Sequence, residues 1–154
     1  MSQDDPGVDL ETSLGYLLKE ASTALRVAME AVLRPLGMTV THYSCLELLA
    51  QRPGLSNSEL ARGAFVTRQS MNVLLQTLER DGYVTRPTEA PFGKVLPTRL
   101  TPRGRRSLAK ASAAVRSVEV RMLGGMTLAE QSAAYTILQS MIRSLRDPDE
   151  SARI

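Results

Sequence analysis

Residues 55 to 86 read LSNSELARGAFVTRQSMNVLLQTLERDGYVTR, and this stretch decides the fold. Its spacing predicts a short helix over Asn57–Arg62, a tight connection, and a longer helix that begins after Thr67 and ends at Asp81 and Gly82. Two helices joined by a tight turn form a helix-turn-helix, whose second helix enters the major groove of DNA. The stretch therefore predicts a DNA-binding fold.

Helical periodicity continues on both sides of this stretch. Apolar residues at helical spacing predict four further helices, at residues 13–33, 39–52, 102–123 and 127–145. Two short β segments, near 83–86 and 94–100, flank a loop with two prolines and a glycine, which predicts a hairpin. The expected fold class is mainly α with a small β-hairpin wing, a winged helix-turn-helix with N- and C-terminal dimerisation helices.

The helices at the two ends of the chain point to self-association. Each carries an apolar stripe, and the central segment is too small to cover all of them. Because burial of apolar surface is worth roughly 25 cal/mol per Å², we expect a homodimer with interleaved end helices, and a single helical bundle is the alternative. The predicted boundaries are a disordered tail at 1–12, a single domain at 13–146 with its winged helix-turn-helix at about 38–101 and its dimerisation helices at about 13–34 and 102–146, and a tail at 147–154.

Composition and charge narrow the function classes. The 154 residues are 43% hydrophobic but only 4% aromatic, which favours a helical core of Leu, Ala, Val and Met. No stretch is long and apolar enough for a membrane span, and the acidic N-terminus does not resemble a secretory signal, so we expect a cytoplasmic protein with no membrane partner. Between Arg62 and Lys110, ten basic and three acidic residues create a local basic surface, which suits DNA phosphates.

The polar face of the longer helix offers side chains that can read bases. Arginine bonds guanine O6 and N7, and asparagine or glutamine bonds adenine N6 and N7. This face has no acidic residue before Glu79, whereas an ordinary solvated helix face is normally richer in Glu and Lys. The residues predicted to read bases are Arg68, Gln69, Asn72 and Gln76.

Other residues are better suited to phosphates or to the groove beside the wing. Hydroxyl groups and helix-start amides bind phosphate oxygens, and basic side chains on a wing reach the minor groove or the adjacent backbone. The residues predicted for these contacts are Ser56, Asn57, Ser58, Thr67, Arg86, Lys94, Arg99 and Arg103. For the basic members of this set, an ordinary solvated hairpin is the alternative.

No motif predicts catalysis, a metal site or a cofactor, so we expect a protein that is not an enzyme. His42 is the only histidine and lacks a partner nucleophile or a set of further ligands, which favours packing or hydrogen bonding. Cys45 is predicted to be a small core residue. Two alternatives stay open: a redox-responsive regulator that uses Cys45, and a winged-helix module whose basic face binds acidic proteins.

Three segments carry a family resemblance: GMTVTHYSCLELLA at 37–50, the stretch at 55–86, and VLPTRLTPRGRRSL at 95–108. From about Leu14 to Leu145 the chain resembles the MarR-type bacterial transcriptional regulators. The resemblance implies a homodimeric regulator, expected to be a repressor, that binds an inverted-repeat operator and is released by a small aromatic ligand. It also implies a ligand pocket between the dimer helices and the DNA-binding region, for which the candidates are Tyr16, Met38, His42 and Tyr43.

Overall fold

The computed structural model describes residues 7–86 and 97–146. In chain order its elements are α1 Leu14–Leu33, α2 Val40–Gln51, α3 Asn57–Gly63, α4 Arg68–Arg80, β1 Val84–Thr85, β2 Arg99–Leu100, α5 Pro102–Leu123 and α6 Leu128–Leu145, with one 3₁₀ turn at Arg34–Leu36. The two strands pair antiparallel, with Val84 opposite Leu100 and Thr85 opposite Arg99. This architecture confirms the expected fold class, a mainly α winged helix-turn-helix.

Polar caps start the helices where the sequence supplies them. The hydroxyls of Ser13, Thr39, Ser56, Thr67 and Thr127 each accept the backbone amide three residues further on. Such a bond satisfies one of the amides that a helix start leaves without a partner. Each of these caps is a local contact, made between residues three positions apart in the sequence.

The wing is described at its base only. Each strand has two residues, which is shorter than the predicted segments at 83–86 and 94–100. Residues 87–96, which include Lys94, lie outside the described part of the chain, as do residues 1–6 and 147–154 of the predicted tails. At the described end of the first predicted tail, the amide of Thr12 donates to the carbonyl of Asp9 and forms a turn before α1.

The hydrophobic core lies in the first of two compact units, which ends at Val118. One face of α4 packs into this core, where Met71, Leu75 and Leu78 are fully buried. The other core residues are Leu33, Met38, Cys45, Leu46, Leu49, Leu60, Ala61, Val84, Leu108 and Ala111. Because one face of α4 packs into the core, the opposite face is exposed to solvent.

Apolar side chains remain exposed on the first and last helices of the single chain. In α1 only Leu33 is buried, and in α6, which belongs to the second unit, no residue is buried. The large exposed apolar residues of these two helices are Leu14, Tyr16, Leu17, Leu18 and Val27 in α1 and Leu128, Tyr135, Ile137, Leu138, Ile142 and Leu145 in α6. None of the helices described is both long and apolar enough to cross a membrane.

Candidate nucleic-acid interface

A tight turn places α4 directly after α3. The amide of Val66 donates to the carbonyl of Ala61 at 3.0 Å, and the amide of Phe65 donates to the carbonyl of Arg62 at 3.2 Å. Thr67 then caps α4 through its hydroxyl. These bonds fix the point at which the second helix begins, and the geometry is the helix-turn-helix predicted from the sequence.

The solvent face of α4 carries the residues predicted to read bases. Arg68, Gln69, Asn72 and Gln76 are all exposed. Their spacing along a helix with 3.6 residues per turn puts them on one face, so the structure brings the four together. No acidic residue lies between Glu59 and Glu79, so the helix positions around these four side chains hold no negative charge before Glu79.

A basic cleft lies beside the start of α4. Nη1 of Arg68 donates to the hydroxyl of Ser58 at 3.5 Å. Both residues line a cleft of about 340 Å³ that also contains Arg62. Two guanidinium groups in one cleft suit a phosphate oxygen, since guanidinium donors match phosphate geometry. Sequence reasoning did not single out Arg62, and its only signal was membership of the basic block.

Arg86 lies against α4 rather than on a free wing. Its backbone amide donates to Oε2 of Glu79 at 3.0 Å, and its Nε lies 3.8 Å from the same oxygen. Its Nη1 donates to Oδ1 of Asn72 at 3.5 Å. The base of the wing is therefore joined to the predicted base-reading face through one arginine.

Two of the polar residues predicted for phosphate, Ser56 and Thr67, are bonded at the starts of their own helices. Ser56 accepts the amide of Glu59 at 3.2 Å and donates its proton to the Glu59 carboxylate at 3.0 Å. A carboxylate beside this hydroxyl disfavours a phosphate there, because like charges repel. Asn57 and Ser58 are half-buried in the first turn of α3, whereas Thr67 is exposed at the start of α4.

The remaining basic candidates differ in their surroundings. Arg99 is exposed on β2. The guanidinium of Arg103 lies over the ring of Tyr83, 4.9 Å from its centroid, which is a cation–π contact at an exposed site. Arg103 therefore packs on the protein, although it is still exposed. Lys94 lies outside the described residues, so its predicted phosphate contact stays a prediction.

The start of α5 is locked onto the end of α4 and the start of β1. The Thr101 hydroxyl donates to the carbonyl of Gly82 at 2.6 Å and accepts the amide of Gly104 at 3.0 Å. The amide of Thr101 donates to the carbonyl of Tyr83 at 3.1 Å. A Cβ on Gly104 would overlap that same carbonyl oxygen, so only glycine allows this approach.

The four predicted effector residues have different surroundings in the described part of the chain. Tyr16 is exposed on α1, and Met38 is buried in the core. The ring of His42 meets the edge of Tyr83, with centroids 5.3 Å apart. Tyr43 lines a cleft of about 200 Å³, whose other lining residues are Ser44, Glu47, Leu48, Gln51, Arg52 and Gly63.

The two residues that could carry special chemistry differ in burial, since Cys45 lies in the core and His42 is half-buried. Cys45 is fully buried, and burial raises the pKa of its thiol to about 12. A redox sensor needs an accessible thiolate of lowered pKa, and Cys45 meets neither requirement in this structure, which argues against the redox alternative. Burial also lowers the pKa of His42, against a smaller raising effect of Asp81. Its Nε2 is buried without a hydrogen-bond partner in the described part of the chain.

Taken together, a helix-turn-helix, a two-stranded wing base and a second helix whose solvent face is free of acidic residues before Glu79 define a winged helix-turn-helix transcriptional regulator.

Comparison with known proteins identifies the family. The family model described as "MarR family" matches residues 36–91. A curated relative, the HTH-type transcriptional repressor Rv2887 of Mycobacterium tuberculosis, is 42% identical over 135 residues, which cover 88% of this chain and 97% of the relative. The chain belongs to the MarR family of transcriptional regulators.

Solved structures of the same relative superimpose on this fold. The structure of the M. tuberculosis MarR family protein Rv2887 in complex with DNA has a TM-score of 0.70, with 42% identity, and the match covers 84% of this chain and 98% of that chain. Its complex with salicylic acid also has a TM-score of 0.70, with 42% identity over 84% of this chain and 96% of that chain. The fold and helix order are therefore shared with a regulator whose DNA and ligand complexes have been solved.

Proposed function

We propose that this chain is a repressor that binds an inverted-repeat DNA operator as a homodimer, and that a small aromatic ligand releases it. The observation that carries the proposal is the solvent face of α4, where Arg68, Gln69, Asn72 and Gln76 lie together with no acidic neighbour before Glu79. Arginine and amide side chains are the groups that distinguish guanine and adenine in the major groove. The DNA complex of the 42%-identical relative supports the same partner.

The homodimer is supported by the apolar residues that the single chain leaves exposed. A helix of eighteen residues with none buried, as α6 is, normally packs against another chain. The exposed apolar side chains of α1 supply a further surface of the same kind. Two recognition helices related by a two-fold axis would read half-sites about 34–36 Å apart, which is why we expect an inverted repeat.

The effector is proposed from the salicylic acid complex of the relative and from the cleft beside Tyr43. Within that cleft, Arg52 offers a partner for a carboxylate, and Tyr43 offers an aromatic wall. Tyr16, Met38 and His42 stay candidates for a pocket that a second subunit completes. A thermal-shift titration with salicylate tests the idea, since binding to the folded state raises the melting temperature. A flat response would count against this class of ligand.

The central experiment is selection of preferred duplexes from a random pool, followed by titration of the recovered sequence. Wild-type protein is expected to recover a palindrome and to bind it with a steep dependence on salt, because phosphate contacts release counterions. A protein-interaction module would show neither. Failure to recover a palindrome, together with a shallow salt dependence, would overturn the proposal. The proposed function involves binding and no catalysis.

Point variants then test the reading face. Arg68→Ala is expected to cost about 1–3 kcal/mol on the selected duplex and to relax base preference. Arg121→Ala removes an equal charge from the exposed surface of α5, outside the basic block, and serves as the matched control, with an expected change below about 0.5 kcal/mol. Lys94→Ala is expected to weaken binding to all sequences alike and to flatten the salt dependence.

A further inference from the structure

Phe65 combines an unfavourable backbone conformation with an exposed aromatic side chain. It is the one described residue other than glycine with a positive φ, at +60°. Its side chain is 94% exposed, in the turn between α3 and α4. A bulky side chain in the left-handed region is a genuine outlier, and an exposed ring orders water unfavourably. Residues held in such conformations cluster at functional sites.

The position of Phe65 places it at the rim of the proposed DNA-reading surface. Only Val66 separates it from the α4 cap Thr67, so the Cα atoms of Phe65 and Thr67 lie at most about 7.6 Å apart. The first turn of a recognition helix contacts base edges. A side chain that precedes this turn and projects into solvent therefore borders the groove that the helix enters.

The surroundings of Phe65 fit a nucleic acid better than an apolar protein surface. Between Leu60 and Leu78 the only charged residues are Arg62 and Arg68, both positive. Both guanidinium groups line the cleft at the start of α4. An aromatic ring with a basic residue on each side suits DNA, which carries negative phosphates and also exposes small apolar groups. In the major groove, the apolar group on the base edges is the 5-methyl of thymine, which phenylalanine can contact.

We propose that Phe65 is a further specificity-determining residue, whose ring packs against the methyl group of a thymine at the edge of each operator half-site. The proposal rests on the DNA-binding function proposed above. It also accounts for why a strained aromatic residue stands where glycine would fit the backbone without cost. The four helix residues read polar base edges, and Phe65 adds an apolar contact beside them.

Phe65→Gly is the decisive variant, because it separates binding from folding. Glycine suits a positive φ, so the variant is expected to melt at the same temperature as wild type or above it. Its affinity for the selected duplex is nevertheless expected to fall about three- to tenfold. Phe65→Asn, which also tolerates this backbone conformation, is expected to behave alike. Val8→Ala, another exposed apolar residue, is the control with unchanged affinity.

Replacement of each operator thymine by uracil, one position at a time, identifies the partner methyl. For wild type, uracil at one thymine position of each half-site should lower the affinity about as much as Phe65→Gly does. In the Phe65→Gly variant, the same uracil should cause no additional loss of affinity. An unchanged affinity of Phe65→Gly would overturn the inference, as would a loss that is equal on every uracil duplex. A changed oligomeric mass with unchanged DNA affinity would place Phe65 in a protein contact and would also overturn it.

The two proposals fail in different ways. If wild-type protein selects no duplex from the pool, the proposed function fails and this inference fails with it. If wild type discriminates among duplexes and the Phe65 variants do so equally well, only the role of Phe65 is wrong.

Discussion

The backbone amide of Arg86 donates a hydrogen bond to Oε2 of Glu79 at 3.0 Å. The guanidinium of the same arginine reaches back to Oδ1 of Asn72 at 3.5 Å. Two residues about two turns apart on α4 are thereby held to Arg86, which directly follows β1. A basic residue that the sequence assigns to the wing thus supports an amide that the sequence assigns to base reading.

Arg86→Ala is expected to relax base preference and to cost about 1–2 kcal/mol on the selected duplex. The reason is that Asn72 loses the group that orients its amide. The slope of affinity against salt should stay unchanged, because Arg86 is engaged by Glu79 and Asn72. Titrations of matched and mismatched duplexes at several salt concentrations measure both quantities.

Arg99→Ala provides the contrast, since Arg99 is exposed on β2. As a phosphate contact, its loss should weaken binding to all duplexes alike and reduce the salt slope by about one. If Arg86→Ala behaves in this way instead, Arg86 contacts phosphate and does not position Asn72.

Gly104→Ala is expected to destabilise the fold by about 1–3 kcal/mol, because the added Cβ would overlap the carbonyl oxygen of Tyr83. That oxygen is backbone and accepts the amide of Thr101, so it cannot move aside cheaply. Urea denaturation followed by circular dichroism measures the change. Gly125→Ala is the matched control, since no atom other than those of Gly125 and its two chain neighbours lies within 4 Å of the added Cβ. Equal stability of the two variants would contradict the argument.

Local signals explain which parts of this fold are predictable from sequence. The cap Thr67 and the positive φ of Gly82 are decided by residues within a few positions of the helix ends, and the boundaries of α4 follow from them. The buried and exposed faces follow from helical periodicity. The four exposed residues of α4 are therefore found together, as the sequence predicts.

Contacts between distant segments explain what the sequence did not reveal. Arg86 meets Asn72 fourteen residues away, and only the packing of β1 beside α4 brings them together. Met38 is drawn into the core because the turn after α1 brings its amide onto the carbonyl of Leu33. The positive φ of Phe65 could not be predicted from the sequence, because glycine is the residue that usually marks such a turn.

The melting temperature is expected to fall as the pH drops from 7.5 to 5.5, because of His42. Burial lowers the pKa of its imidazole below the ordinary value of 6.5, so the unfolded chain binds more protons than the folded one in this range. Stability contributed by the neutral ring is present above pH 6.5 and is lost as the pH falls toward the lowered pKa. Asp81 opposes the shift and limits its size.

His42→Gln is the control for this pH dependence. His42 is the only histidine in the chain, and carboxyl groups titrate near pH 4, outside the range. The variant should therefore show a flatter melting temperature between pH 5.5 and 7.5. A wild-type profile that is flat, or that rises as the pH falls, would mean that the folded protein accommodates a charged His42 beside Tyr83.

Cys45 is expected to react with thiol reagents only after the protein opens. Its side chain is fully buried among core residues, and burial raises the pKa of the thiol to about 12, so almost no thiolate exists at pH 8. Labelling by a chromogenic disulfide should be at least about a hundredfold slower in the native protein than in denaturant. DNA affinity should also be unchanged after exposure to peroxide. Cys45→Ala removes the thiol and gives the baseline for labelling. Rapid labelling of the native protein, together with release of DNA after peroxide treatment, would favour redox regulation instead.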